Sequence, residues 1–296
     1  MKLFFTKTTS ILLALILFVV SFIPGFSKYK RIEYLDVSYG DNENQKYDLV
    51  LPSTGNKDDV GLLLYVHGGA WKIGDKSAYL SSIRLYSFLG IACATMNYRF
   101  TDEKTTCFDE LDDITSCMNS IIKLGKEQGL NITRVMFMGM SAGAHLSMLY
   151  AYSRADVSPL KVCAVYSRSG PANFDEPDFF NNNILGDFNT VADWISDVIG
   201  FDFTTETYEE AKPYMANASP VTYINENSVP TLICHGKKDN LVSFDNSVTL
   251  DRVLTENGVK HDYLVFENSD HGLDDDPIMS KLAEMMFAVY IFKYLI

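Results

Sequence analysis

Positive charge is scarce and never clustered: 25 Lys and Arg stand against 38 Asp and Glu, a formal net charge of −13 over 296 residues. That balance repels a polyanion and excludes nucleic acid as a partner. Cysteine is sparse as well. Cys93, Cys107, Cys117, Cys163 and Cys234 contain no CxxC pair, and no His-rich spacing accompanies them, so no metal or other cofactor is expected. The odd count leaves at least one thiol free. Cys107 and Cys117 flank a helical pattern that would hold them roughly 15 Å apart, too far to bridge. The other three lie in apolar, strand-like runs, where a thiol acts as a small hydrophobe. All five are expected to be structural.

Long apolar runs are also missing. The stretch Ile11 to Ile23 falls short of the roughly 20 residues that cross a bilayer. Lys2 and Lys7 precede it, and Gly25-Phe26-Ser27 follows as a cleavage site. Residues 1–27 therefore read as a removable signal peptide, which makes the mature chain secreted or extracytoplasmic. An anchor retained at 11–23 is the alternative, and only then does a membrane become a partner. No Cys follows the run to accept a lipid. Neither an internal repeat nor a low-complexity tract is present.

What the chain does have is apolar mass, 47% hydrophobic and 13% aromatic, enough to build a large core in residues 28–296. Residues 31–39 and 45–51 alternate apolar and polar around Gly40-Asp41-Asn42, the pattern of an antiparallel hairpin. Gly61–Val66 is a short continuous apolar run, as a strand covered on both faces requires. Helical and strand patterns then alternate: helix 76–89, strand 91–95, helix 108–127, strand 135–138, helix 142–154, strand 161–166. After an interruption come strand 231–234, helix 244–257, strand 262–266 and helix 277–295. This order predicts an α/β fold, a mostly parallel sheet with helices on both faces.

The interruption, residues 171–216, holds ten carboxylates against one Lys, together with nine aromatics. So aromatic a segment needs a surface to bury against. It is expected to be a small cap over the sheet's C-terminal edge, where ligands bind in open α/β folds.

Gly139-Met140-Ser141-Ala142-Gly143 follows a strand and opens a helix, the setting of a nucleophile elbow. The glycines let backbones approach while Ser141 is pushed out above a helix N-terminus. His67-Gly68-Gly69-Ala70-Trp71 follows the strand ending at Val66. Its turn can aim the N–H groups of Gly69 and Ala70, with that of Ala142, at one developing oxyanion. A Ser nucleophile needs a base oriented by an acid, in the chain order Ser, Asp, His. His271 follows the last strand and is the base candidate. Asp239 follows the strand before it and is the acid; Asp245 is its rival, placed inside the next helix. Four other histidines are given lesser roles: His67 as a strut of its loop, His145 facing the packed interior, His235 structural, His261 exposed at the opposite sheet edge.

HGGAW, then Asn97–Phe100 (NYRF), GMSAGAHLS, ASPV at 218–221 and VPTLICHGKKD at 229–239 resemble esterases of the α/β-hydrolase fold, of the hormone-sensitive-lipase-like and bacterial BD-FAE (feruloyl or acetyl esterase) type. The resemblance spans residues 30–296. It implies a serine esterase acting without cofactor on neutral esters such as acetylated or aryl-acylated carbohydrate. Two departures stand out: Ala70 replaces a third glycine, and Thr101-Asp102-Glu103-Lys104 replaces a proline-rich stretch, which unsettles analogies in the substrate pocket. An arylformamidase-like amidase remains the enzymatic alternative, and an inactive hydrolase fold used for binding the alternative of another class.

Overall fold

The computed structural model describes residues 31–52, 57–175 and 188–296. The expected leader, 1–27, and residues 176–187 of the expected cap lie outside them. Strands β1 (Arg31–Ser38), β2 (Lys46–Pro52), β3 (Lys57–Val66), β4 (Ala92–Met96), β5 (Leu130–Met140), β6 (Lys161–Arg168), β7 (Thr231–Gly236) and β8 (His261–Phe266) form one sheet. Its order is β1-β2-β4-β3-β5-β6-β7-β8. The hairpin β1–β2 is antiparallel, and β2 joins β4 antiparallel. All other pairings are parallel.

Around the sheet run α1 (Leu80–Tyr86), α2 (Cys107–Glu127), α3 (Ala142–Ser153), α4 (Phe188–Ile199), α5 (Tyr208–Ala218), α6 (Asp245–Glu256) and α7 (Pro277–Tyr290). Both sheet faces are covered, and the two-residue period of the central strands divides the core. Leu62, Leu64 and Val66 of β3 join Val135 and Phe137 of β5 on one face. Leu63 and Tyr65 join Met136 and Met138 on the other. α3 is buried from Ala142 through Tyr152, which is why its sequence shows little amphipathic contrast. The five cysteines are all free thiols.

Two expected helices are broken. Residues 76–89 form a 3₁₀ turn at Lys76–Tyr79, α1, and a second 3₁₀ turn at Ser87–Leu89. Asp75 caps the first by accepting from the Ser77 amide, and Gly90 ends the last with φ 79°. The C-terminal helix passes into a π-type turn at Ile291–Leu295, where Arg134 takes the Leu295 carbonyl. Among the described residues no helix is long and apolar enough to cross a membrane.

Glu110 of α2 is wholly buried, and neither carboxyl oxygen has a hydrogen-bond partner among the described residues. Burial, reinforced by Asp113 and Asp109, pushes its pKa well above the ordinary glutamate range. The folded chain thus keeps a proton that the unfolded chain releases, so stability should fall as pH rises above the ordinary Glu pKa. Glu110→Gln should flatten that decline. Denaturant unfolding of both proteins between about pH 5 and about pH 8 checks this; parallel stability curves would count against it.

Candidate active site

β5 leads into α3 through Ser141, whose backbone sits at φ 54°, a region disfavoured for non-glycine residues. Such strain costs of order 1–3 kcal/mol and persists only where the surroundings over-determine it. Here they do. The Ser141 amide donates to the Arg168 carbonyl at 2.8 Å, and the His145 amide donates to the Ser141 carbonyl at 3.0 Å. A Cβ at Gly143 would stand 2.1 Å from the Val66 carbonyl oxygen, and one at Gly139 would stand 2.2 Å from that of Gly143. Neither position has room for a side chain.

The loop after β3 runs beside this turn. Gly69 has φ 126°, and Ala70 and Trp71 follow at 49° and 60°. Three successive left-handed residues form a concavity of backbone amides. Among the described residues the N–H groups of Gly69, Ala70 and Ala142 donate no hydrogen bond.

Side chains from the NYRF segment brace the loop. The Tyr98 hydroxyl donates to the His67 carbonyl at 2.7 Å, and its ring stacks on the His67 imidazole at 4.5 Å. The Thr101 amide donates to the Trp71 carbonyl. Asn97 accepts from the Lys76 amide and donates to Asp75, fixing the far end of the loop.

The Trp71 indole N–H donates to Nδ1 of His145 at 3.0 Å, and His145 Nε2 meets the Ala218 carbonyl at 2.8 Å. Indole only donates and a carbonyl only accepts, so this imidazole is neutral with its proton on Nε2. Burial pushes its pKa from the ordinary 6.5 down to about 4, against the opposing effect of the Ala218 hydrogen bond.

At the other side of the site, Asp239 Oδ2 accepts from His271 Nδ1 at 2.8 Å and lies 3.0 Å from His235 Nε2. Asp239 Oδ1 accepts from the amides of Leu241 and Val242, each at 2.9 Å. Burial disfavours the carboxylate, but hydrogen bonds and charge from His235 and His271 outweigh it and hold its pKa well below the usual range. Asp245, the rival acid, is the first residue of α6 and makes no contact with His271. The His271 carbonyl is held by the Ser169 hydroxyl at 3.1 Å.

Ser141, His271, Gly69 and Ala70 line one cavity of about 500 Å³. Asp239 stands behind His271, and Ala142 is buried behind Ser141 as the first residue of α3. No hydrogen bond joins Ser141 Oγ to the imidazole. The rest of the lining is mostly apolar, with Trp71, Ile73, Met140, Leu241 and Val242 joined by Val191, Trp194 and Ile195 of α4. Lys72 and Asp197 form an ion pair between the glycine loop and α4.

His235, expected to be structural, shares the Asp239 carboxylate with His271. The spacing of His235 four residues before Asp239 was the available signal. His261 is half-buried against Asp251 at 3.0 Å rather than exposed. Among the described residues no cluster of His, Cys, Asp and Glu is arranged to hold a metal.

The family model described as BD-FAE matches residues 47–254. The chain belongs to the BD-FAE family. A probable isoprenylcysteine alpha-carbonyl methylesterase of Oryza sativa subsp. japonica is 25% identical over 88% of this chain, and the chain spans 64% of that relative's length. A kynurenine formamidase of Danio rerio is 29% identical over 46% of the chain and 45% of its own length. Among solved structures, a truncated carbohydrate esterase from gut microbiota superposes with a TM-score of 0.69 at 19% identity, covering 90% of this chain and 98% of that one. The architecture is therefore the α/β-hydrolase fold.

The Trp71–His145–Ala218 chain generates a prediction about stability. Trp71→Phe would leave the His145 Nδ1 acceptor buried and unpaired, at a cost of about 1–3 kcal/mol. Because the folded His145 resists protonation, its contribution is fully present above about pH 6.5 and is lost as pH falls toward about 4. Unfolding curves should show the Trp71→Phe loss at neutral pH, and the wild-type decline should begin below about pH 6.5.

Proposed function

We propose that the chain is a serine carboxylic-ester hydrolase with Ser141 as nucleophile, His271 as general base and Asp239 as the acid that orients it. The observation that carries this reading is the 2.8 Å contact from His271 Nδ1 to a buried Asp239 carboxylate, beside a cavity that His271 shares with the strained Ser141. Bonded through Nδ1, the imidazole has Nε2 free to take the Ser141 proton as the hydroxyl attacks an ester carbonyl. Asp239 stabilises the resulting imidazolium without receiving the proton. The amides of Gly69, Ala70 and Ala142 receive the oxyanion, each worth ~3 kcal/mol in such sites. His271 then protonates the departing alcohol. It next deprotonates the water that attacks the acyl-enzyme, releasing the acid.

The apolar lining supports neutral esters with a sizeable apolar or aryl group on one side. An aryl-acylated carbohydrate would seat its acyl group inside and its sugar at the rim near Asp75. The described part of the expected cap, residues 188–216, covers this cavity: α4 supplies Val191, Trp194 and Ile195, and Asp197 pairs with Lys72. The ten carboxylates of residues 171–216 disfavour anionic substrates at long range. With the leader removed, the enzyme works outside the cytoplasm. Partial similarity to a formamidase makes an N-formyl aryl amide the informative second substrate.

A fluorophosphonate should label the protein at Ser141, and Ser141→Ala should lose both labelling and ester hydrolysis while unfolding cooperatively as before. An unlabelled wild type would favour a binding role for the fold. Asp239→Asn should lower turnover on the order of 10⁴-fold by upsetting the His271 tautomer, with Asp245→Asn nearly silent. The opposite ranking would move the acid to Asp245. For matched neutral and anionic aryl esters, the anionic ester's relative kcat/KM should rise with salt; a flat ratio would remove the electrostatic role of the cap.

A further inference from the structure

A second cavity, of about 180 Å³, lies on the sheet face covered by α1 and α7 and shares Tyr79 as a wall with the catalytic cavity. Arg168, at the end of β6, lines it. Its Nε is fully buried without a hydrogen-bond partner, and its guanidinium forms no ion pair among the described residues. The other arginines of the described chain all have partners: Arg31 a carbonyl, and Arg84, Arg99, Arg134, Arg154 and Arg252 carboxylates. Arg168 as a whole is half-buried, so the buried Nε–H is the part of its guanidinium that lacks an acceptor, and such a donor is costly to leave unpaired.

Arg168 shares this cavity lining with further hydroxyl donors. Tyr65, Tyr79 and Tyr86 line the same cavity, and their hydroxyls make no hydrogen bond among the described residues. Burial raises all three phenols, Tyr86 to about 12, so each keeps its proton as a donor. Glu284 stands exposed at the mouth, too far from Arg168 to pair with it. The walls are aromatic rings in mutual contact, Tyr65 with Tyr79 at 5.0 Å, Tyr86 with Phe287 at 5.1 Å and Tyr166 with Phe287 at 4.9 Å.

We propose that this cavity is a binding site for a small aromatic carboxylate, distinct from the catalytic cavity. The carboxylate would lie against the planar fork of Arg168, which matches its two oxygens. The phenol hydroxyls complete its hydrogen bonds, and the aryl ring packs among the surrounding rings. Aromatic walls disfavour inorganic phosphate, which needs polar partners on every side.

Calorimetric titration with benzoate tests the assignment without relying on esterase activity. Wild type should bind benzoate saturably with Kd below about 1 mM. Benzamide, the uncharged isostere, and inorganic phosphate should each bind about tenfold more weakly or worse. Arg168→Met should lose about tenfold or more, Arg168→Lys should retain part of the affinity, and Tyr86→Phe should weaken binding by a smaller factor. Trp194→Ala, in the catalytic cavity, should leave the benzoate Kd unchanged. Absent saturation, equal binding of benzamide, or loss in Trp194→Ala with Arg168→Met unaffected would each overturn the proposal. If Arg168→Met fails to unfold cooperatively, Tyr86→Phe and the benzamide comparison still decide the matter. None of these outcomes bears on Ser141, whose labelling is a separate measurement.

Discussion

The site depends on a contact between backbones: the first turn of α3 lies against the last residues of β3, so close that only hydrogen fits at Gly143. Because β3 and β5 are parallel neighbours, Val66 pairs with Gly139 in register, and the loop leaving β3 emerges beside the turn leaving β5. That adjacency puts the Gly69–Trp71 amides on the same cavity as Ser141. A side chain at Gly143 would separate the two turns, and with them Ser141 from the amides of Gly69 and Ala70. Gly69 is crowded within its own loop, where a Cβ would meet the Ile73 carbonyl.

Buried polar groups then lock this arrangement from two directions. Trp71, His145 and the Ala218 carbonyl form a fully satisfied chain that joins the HGGAW loop, α3 and the C-terminal end of α5. On the other side Asp239 accepts from two amides and two imidazoles. Each network specifies a single geometry, because losing any member strands a buried partner. The two imidazoles at Asp239 differ in surroundings: His235 also meets the Val242 carbonyl at 3.0 Å, whereas the other nitrogen of His271 is left toward the cavity. His235, fully buried, thereby fixes the carboxylate, and His271 is the ring that lines the cavity.

Much of this was legible in the sequence because the relevant signals are local. The alternation of apolar runs with helical periods predicted the sheet, the hairpin and the helices that pack between its strands, but not α4 and α5 of the interruption. Positions 139–143 and 67–71 predicted their turns, since only small residues tolerate such approaches. The partners across the sheet were not legible. Nothing local marks Trp71 and His145, or Tyr98 and the His67 carbonyl, as hydrogen-bonded, because each pair is joined only by tertiary packing. Residues 76–89 read as one helix from periodicity. Asp75 and Gly90 had the types that cap short turns, but their effect depended on how Asn97 and the glycine loop packed against them.

Some of the buried polar atoms left without partners lie in the same braces. His67 Nε2 and Thr101 Oγ1 are buried and unpaired among the described residues, the first within the HGGAW loop and the second in the residue whose amide holds the Trp71 carbonyl. A chain selected only for stability would satisfy or remove such groups, since each costs about 1–3 kcal/mol. His67 cannot easily be exchanged, because its ring stacks on Tyr98 while its Nδ1 lies 2.7 Å from the Gly68 carbonyl. The imidazole therefore holds the glycine turn with one nitrogen and sacrifices the other. Local rules yield in this way where a site demands a geometry that packing alone would not choose. The loop bearing Gly69 and Ala70 is the place in the fold where that demand is greatest.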